Sequence, residues 1–90
     1  MPFDYKASWE RNQALLIDFI KGDLALGRTF VESALLAKIS GRKDYSEQAV
    51  GGALRAAETI RLFLDQVADE PRRKHFAETL AELERLIGSI

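Results

Sequence analysis

The chain has no cysteine among its 90 residues, and it has only two prolines. The lack of cysteine excludes disulfide cross-links, thiolate metal ligands and cysteine nucleophiles, and it is typical of a reducing compartment. Uninterrupted apolar runs are only a few residues long, whereas a membrane-spanning helix needs about 20 apolar residues. The segment Met1–Lys6 does not place a basic start before an apolar core. We therefore expect no signal peptide, no membrane segment and a cytoplasmic location.

Charge of either sign is not in excess, because 13 basic residues stand against 14 acidic ones and the net charge is -1. Proteins that bind nucleic acids usually carry a basic excess or stripe, since phosphate contacts dominate their affinity. The densest basic clusters, Arg42–Lys43 and Arg72–Lys74, are short and lie beside acids. We therefore expect solvated helix ends at these clusters, and no nucleic-acid or membrane partner.

Side chains suited to catalysis or metal binding are also scarce. His75 is the only histidine, and Arg72 stands three residues before it, where a Glu-x-x-His metal pair needs an acid. The serines lie outside any Gly-x-Ser-x-Gly turn, and no glycine-rich phosphate loop occurs. We predict a protein without enzyme activity, cofactor or metal.

His75 nevertheless suggests one alternative function. A histidine phosphotransfer domain also carries a single exposed histidine on a helical bundle, in a pattern similar to His-x-x-Lys-Gly. Glu78 occupies the lysine position here, and its carboxylate would repel a phosphoryl group. The alternative is a regulatory or signalling bundle that binds a small ligand or accepts a phosphoryl group at His75.

Apolar residues recur at steps of three and four over about 7–39, 45–67 and 71–87. This spacing predicts three amphipathic helices, and no segment alternates as a half-buried strand does. We predict one all-α domain over residues 1–90, an up-and-down bundle of three long helices. If the first helix breaks near Gly22, which has cap residues on both sides, the bundle has four helices.

Capping residues predict where the later helices begin. Asp44 with Glu47 forms a capping box after the turn at residues 40–43, and Asp69 with Pro71 marks the third start. The three helices would be about 50, 35 and 25 Å long. A straight first helix would therefore extend beyond its neighbours, unless it bends or a second copy of the chain covers it.

Two groups of residues are candidates for packing or interaction. Gly27, Gly51 and Gly52 lie inside predicted helices, where glycine costs about 0.5–1 kcal/mol relative to alanine, so they suggest close helix packing. The alternative for Gly51 and Gly52 is an exposed pair that the helix tolerates. Phe3, Tyr5 and Trp9 cluster at the start of the chain. They either close the core or anchor a partner, since large rings are favoured at interface centres.

Residues 23 to about 60 resemble a tetratricopeptide repeat. The resemblance rests on Leu26–Gly27 and Phe30 in the first helix, and on Asp44–Tyr45, Ala49 and Ala56 in the second. It implies an antiparallel helical hairpin, typical of scaffold proteins. The chain is also similar in style to many short helical proteins of bacteria, a likeness that implies no activity.

These observations favour a non-enzymatic helical module with a structural or protein-interaction role. Its expected partner is another protein or a second copy of the chain in a homodimer.

Overall fold

The computed structural model describes residues 4–90 and contains three helices in this range: α1 (Tyr5–Ile39), α2 (Lys43–Leu64) and α3 (Glu70–Gly88). Pairs of contacts show that α1 and α2 are antiparallel, since Phe30 lies against Gly52 while Phe19 contacts Phe63. The α3 helix then runs back alongside α1. The predicted all-α bundle of three helices is confirmed.

The α1 helix passes through Gly22 without interruption, so the four-helix alternative is not formed. It begins two residues before the predicted start, where the Asp4 carboxylate accepts a hydrogen bond from the Ala7 amide at 3.1 Å. At 1.5 Å per residue, its 35 residues make a rod of about 52 Å.

The turn between α1 and α2 is tighter than the sequence predicts. Gly41 adopts φ +75°, and the Arg42 amide donates to the Ala37 carbonyl at 2.7 Å, a left-handed helix cap. Because this short turn reverses the chain direction within residues 40–42, α2 begins at Lys43. Its N-cap is Arg42, and no side chain forms a capping hydrogen bond there. The predicted capping box at Asp44 is therefore wrong. Asp44 lies inside the first turn, where its charge still suits the helix dipole.

The α2 helix ends at Leu64, three residues before the predicted end at Val67. The chain turns there so that Val67 is fully buried in the core. The Gln13 side chain of α1 spans this turn: its Nε2 donates to the Gln66 carbonyl at 2.9 Å, and its Oε1 accepts from the Ala68 amide at 3.0 Å. This bracket fixes the α2–α3 loop against α1.

We expect Gln13→Ala to lower the free energy of unfolding by about 1–2 kcal/mol, because it removes two hydrogen bonds to exposed backbone groups. Urea denaturation followed by circular dichroism measures this loss. Glu10→Ala is the control at another exposed position of α1, and equal stability of the two variants would show that the bracket contributes nothing.

The core lies where the three helices meet, and each helix contributes large buried side chains to it. Ile20 and Ile60 are fully buried, and Leu80 is nearly so. Between α1 and α2 the core is built mostly of alanine and glycine, which lets these two helices approach closely. The α3 helix begins at Glu70, and its N-cap is Asp69, at the predicted start; the Asp69 carboxylate accepts from the Arg72 amide at 3.2 Å.

The molecule is elongated, with a Cα trace that measures 61 × 25 × 15 Å and a radius of gyration of 16.2 Å. A compact chain of this length has a radius of gyration of about 12 Å. The α2–α3 loop meets α1 at Gln13, so the turns of α1 before that residue extend past the rest of the bundle. We call Tyr5–Asn12 the overhang.

A candidate interaction face on α1 and α2

The overhang carries two of the three predicted aromatic residues. Tyr5 is 77% exposed and Trp9 is 54% exposed, whereas Phe3 lies outside the described residues. Both rings border a shallow depression on the first turns of α1, together with polar neighbours such as Asn12. This half-exposed tryptophan lies on an extension of the bundle, where neither α2 nor α3 covers it.

From the overhang an uncharged stripe continues along α1. Its members recur at alternating steps of four and three residues, which keeps them on one side of the helix. All except Ser8 are exposed. We call this set the outer stripe: Ser8, Asn12, Leu15, Phe19, Gly22, Leu26, Thr29, Ser33 and Leu36.

The outer stripe lies beside α2, on the side of the hairpin away from α3. The ring of Phe19 meets the ring of Phe63 edge to face, with centroids 5.6 Å apart. In contrast, Gly27 faces Leu83 of α3, and Leu26, about 100° around the helix from Gly27, is 47% exposed. The adjoining edge of α2 is also uncharged, and its residues are Tyr45, Gln48, Gly52, Ala56, Thr59 and Phe63.

We call the outer stripe together with this edge of α2 the outer face. Near the α1–α2 turn it opens into a cleft of about 580 Å³ whose lining includes Phe30, Leu36 and Gln48. The cleft is bordered by one cation, the Arg42 guanidinium, which stands 5.8 Å from the centre of the Tyr45 ring. The outer face is thus apolar along its middle and carries a polar rim at this end.

The surface of α3 has the opposite character. Arg61 of α2 forms an ion pair with Glu84, and Arg85 forms one with Glu82. The hydrogen bond from Arg85 holds the pKa of the Glu82 carboxyl below its usual value, and the pKa of the Arg85 guanidinium rises correspondingly. Because these pairs are exposed and screened by water, this surface is a solvated one.

The three predicted packing glycines occupy different surroundings. A Cβ added at Gly52 would lie 2.8 Å from the Phe30 ring, and one added at Gly27 would lie 2.7 Å from a methyl carbon of Leu83. At Gly51 the nearest atom is an Arg55 nitrogen at 3.7 Å, so the close approach involves only the second glycine of the pair.

His75 lies exposed on α3. It borders a shallow cleft of about 290 Å³, with Arg28 on one side and the carboxylates of Glu78 and Glu82 on another. These two like charges disfavour an incoming phosphoryl group. Within residues 4–90, no three acidic or histidine side chains converge as metal ligands.

No family model, curated protein or solved structure matches this chain. The resemblance to tetratricopeptide repeats therefore stays a prediction. None of the helices in the described part of the chain combines the length and apolarity needed to cross a bilayer.

Proposed function

We propose that the protein is a non-enzymatic interaction module that binds a protein partner through the outer face. One observation carries this proposal: an uncharged stripe runs from Ser8 to Leu36 and is not covered by α2 or α3. At 1.5 Å per residue it is about 42 Å long. Its four large apolar members, Leu15, Phe19, Leu26 and Leu36, are 45–67% exposed, and exposed apolar surface rimmed by polar residues is typical of an interaction site.

The composition of the outer face fits a protein partner better than a nucleic acid or a small charged ligand. Interface cores are depleted in charge and enriched in aromatic residues, with a polar rim. Here Phe19, Tyr45 and Phe63 supply the rings, while Asn12 and Gln48 supply polar groups toward the two ends. We also infer that the protein acts in the cytoplasm, because a chain without cysteine forms no disulfides and needs no oxidising compartment to fold.

We expect Leu26→Glu to abolish partner binding, because it places a charge in the middle of an apolar interface. The measurement is affinity purification of tagged protein after in-cell cross-linking, with quantification of each cross-linked partner. Leu26 is about half exposed, so its replacement should leave the helical circular dichroism spectrum intact.

Leu62→Glu is the matched control, since Leu62 is 74% exposed on the charged side of α2, in line with Arg55 and Glu58. His75→Gln tests the alternative function at the histidine and should also leave the partners unchanged. Partners that survive Leu26→Glu, or that are lost equally with Leu62→Glu, would contradict the proposal. Loss with His75→Gln alone would favour the regulatory alternative.

A further inference from the structure

The outer stripe has nearly the same chemistry when it is read in either direction. From Ser8 to Ser33 its spacing is symmetric about a point between Ile20 and Lys21, so each of these eight members has a counterpart at the same distance on the other side. Leu36, the ninth member, lies beyond the symmetric part. The resulting pairs are Ser8 with Ser33, Asn12 with Thr29, Leu15 with Leu26, and Phe19 with Gly22. Polar residues pair with polar ones and leucine pairs with leucine.

We propose that the partner of the outer face is a second copy of this chain, packed with its α1 antiparallel to the first. This inference rests on the proposed function and names its partner. A two-fold axis that crosses α1 between Ile20 and Lys21 brings each of the eight paired members of the stripe onto its counterpart. Self-complementarity of this kind is what a two-fold interface requires, because residue i meets residue j and j meets i.

Gly22 gains a role in this arrangement. It lies within a continuous helix, it does not have a positive φ, and nothing lies within 4 Å of a Cβ added there. Nothing in residues 4–90 therefore requires glycine at this position, and glycine is a poor helix former. In the antiparallel pair the Phe19 ring of the second copy lies over Gly22, where the missing side chain leaves room for it.

The residues flanking the stripe favour the antiparallel direction. On the side away from α2 the flank is Arg11, Asp18, Ala25 and Glu32, at seven-residue steps. Like flanks meet in an antiparallel pair, so Arg11 lies near Glu32 of the second copy, and the symmetry repeats the contact. Neither side chain has an ion-pair partner within residues 4–90. A parallel pair would instead place this flank against the opposite one, Trp9, Leu16, Asp23 and Phe30, where Arg11 meets leucine and Asp18 meets another carboxylate.

The overhang and the cleft are brought together by the same axis. Trp9 projects beyond its own α2 and α3. Its counterpart position on the second copy's α1 is residue 32, which lies about 3 Å along the helix axis from Phe30. Phe30 stands at the edge of the 580 Å³ cleft. The overhang of each copy would thus cover the open end of the other. Both exposed features of the monomer are covered by one contact.

The molecule exposes more surface than a compact monomer of its mass. The accessible surface is 6507 Å², about 1,200 Å² more than the roughly 5,300 Å² typical of a folded monomer of this mass. A standard specific interface buries about 800 Å² on each partner. The surplus, which reflects the elongated shape of the whole molecule, is larger than the area that such an interface covers on one partner.

Light scattering across a concentration series tests the dimer directly. We expect a mass of two chains that falls toward one chain on dilution. Gly22→Leu should raise the dissociation constant about tenfold or more, since the new side chain occupies the place of the Phe19 ring. Circular dichroism should show that this variant stays helical, because the monomer has open space at the site. A monomer at every concentration would overturn the inference.

Cross-linking through introduced cysteines tests the antiparallel register. Because the chain has no native cysteine, only the introduced residues can react. Leu15→Cys and Leu26→Cys are prepared separately and treated with a short bis-maleimide. In the proposed pair, the same cysteine in the two copies is separated by about 16 Å along the helix axis, so we expect little cross-linking of either variant alone. Residue 15 of one copy lies at the level of residue 26 of the other, so we expect efficient cross-linking when the two variants are mixed. Efficient cross-linking of each variant alone would indicate a parallel pair and overturn the inference.

A charge exchange separates this inference from the proposed function. Arg11→Glu or Glu32→Arg alone should weaken the dimer several-fold, and the double variant should restore it. If the chain is a monomer but a different protein is lost with Leu26→Glu, the proposed function stands and the second copy is the wrong partner. If nothing depends on Leu26, both are wrong.

Discussion

Replacing Ile60 by alanine should lower the free energy of unfolding by about 3 kcal/mol. Ile60 is fully buried in α2, at the level where side chains of α1 and α3 meet. Truncating a buried isoleucine removes its transfer free energy and leaves a cavity, which together cost about 2–5 kcal/mol. Small domains have only about 5–15 kcal/mol of stability, so this variant should lose a large part of it.

Urea denaturation measures this loss as a lower midpoint with an unchanged slope. Both proteins must be compared at one concentration, because association adds to the apparent stability. Leu62→Ala is the control, since Leu62 is 74% exposed and its truncation should change stability by less than about 0.5 kcal/mol. Similar losses in the two variants would show that the core is not centred on Ile60.

Helical periodicity was sufficient to predict the bundle. In α3 the sequence predicts a start at Asp69–Pro71, and the structure places the N-cap at Asp69, because both a capping carboxylate and a proline mark that point. At α2 the start depends instead on the geometry of the preceding turn. Gly41 and Arg42 close that turn so tightly that Asp44 falls within the helix, and no local pattern specifies how tight a turn will be.

The outer face could not be predicted in the same way, because the apolar arc of α1 is wider than the core that covers it. Phe19 and Ile20 both fit the three- and four-residue spacing, yet Phe19 is 45% exposed while Ile20 is fully buried. Periodicity identifies the arc, but only the placement of α2 and α3 decides which part of it is covered. The sequence does contain one signal of this surface: the positions one residue before most of the core positions of α1, such as Phe19 and Leu26, carry no charge.

The Gln13 bracket also has no signal in the sequence. A glutamine on a helix is usually a solvated residue, and this one becomes structural because the α2–α3 loop passes beside it. Its contacts join residues more than 50 positions apart. Such a contact depends on the tertiary fold and cannot be read from local spacing.

The glycine pair of α2 gives the second large effect. We expect Gly52→Ala to lower the free energy of unfolding by about 1–2 kcal/mol, because its Cβ would lie 2.8 Å from the Phe30 ring and overpacking costs about 1–3 kcal/mol. Gly51→Ala should raise it by about 0.5–1 kcal/mol, since alanine is the better helix former and the site is open. Two adjacent, chemically identical substitutions should thus differ by about 2 kcal/mol with opposite signs.

The same comparison links stability to the outer face. Phe30 borders the cleft, so a Cβ at Gly52 would push its ring outward and change the surface that a partner meets. Denaturation midpoints and partner binding should therefore change together in Gly52→Ala, and Gly51→Ala should leave partner binding unaltered. If Gly52→Ala is as stable as Gly51→Ala, the helices do not approach as closely as the contact implies. In that case the α2 edge of the outer face would lie farther from α1 than the structure places it, and the proposed interface would lose support.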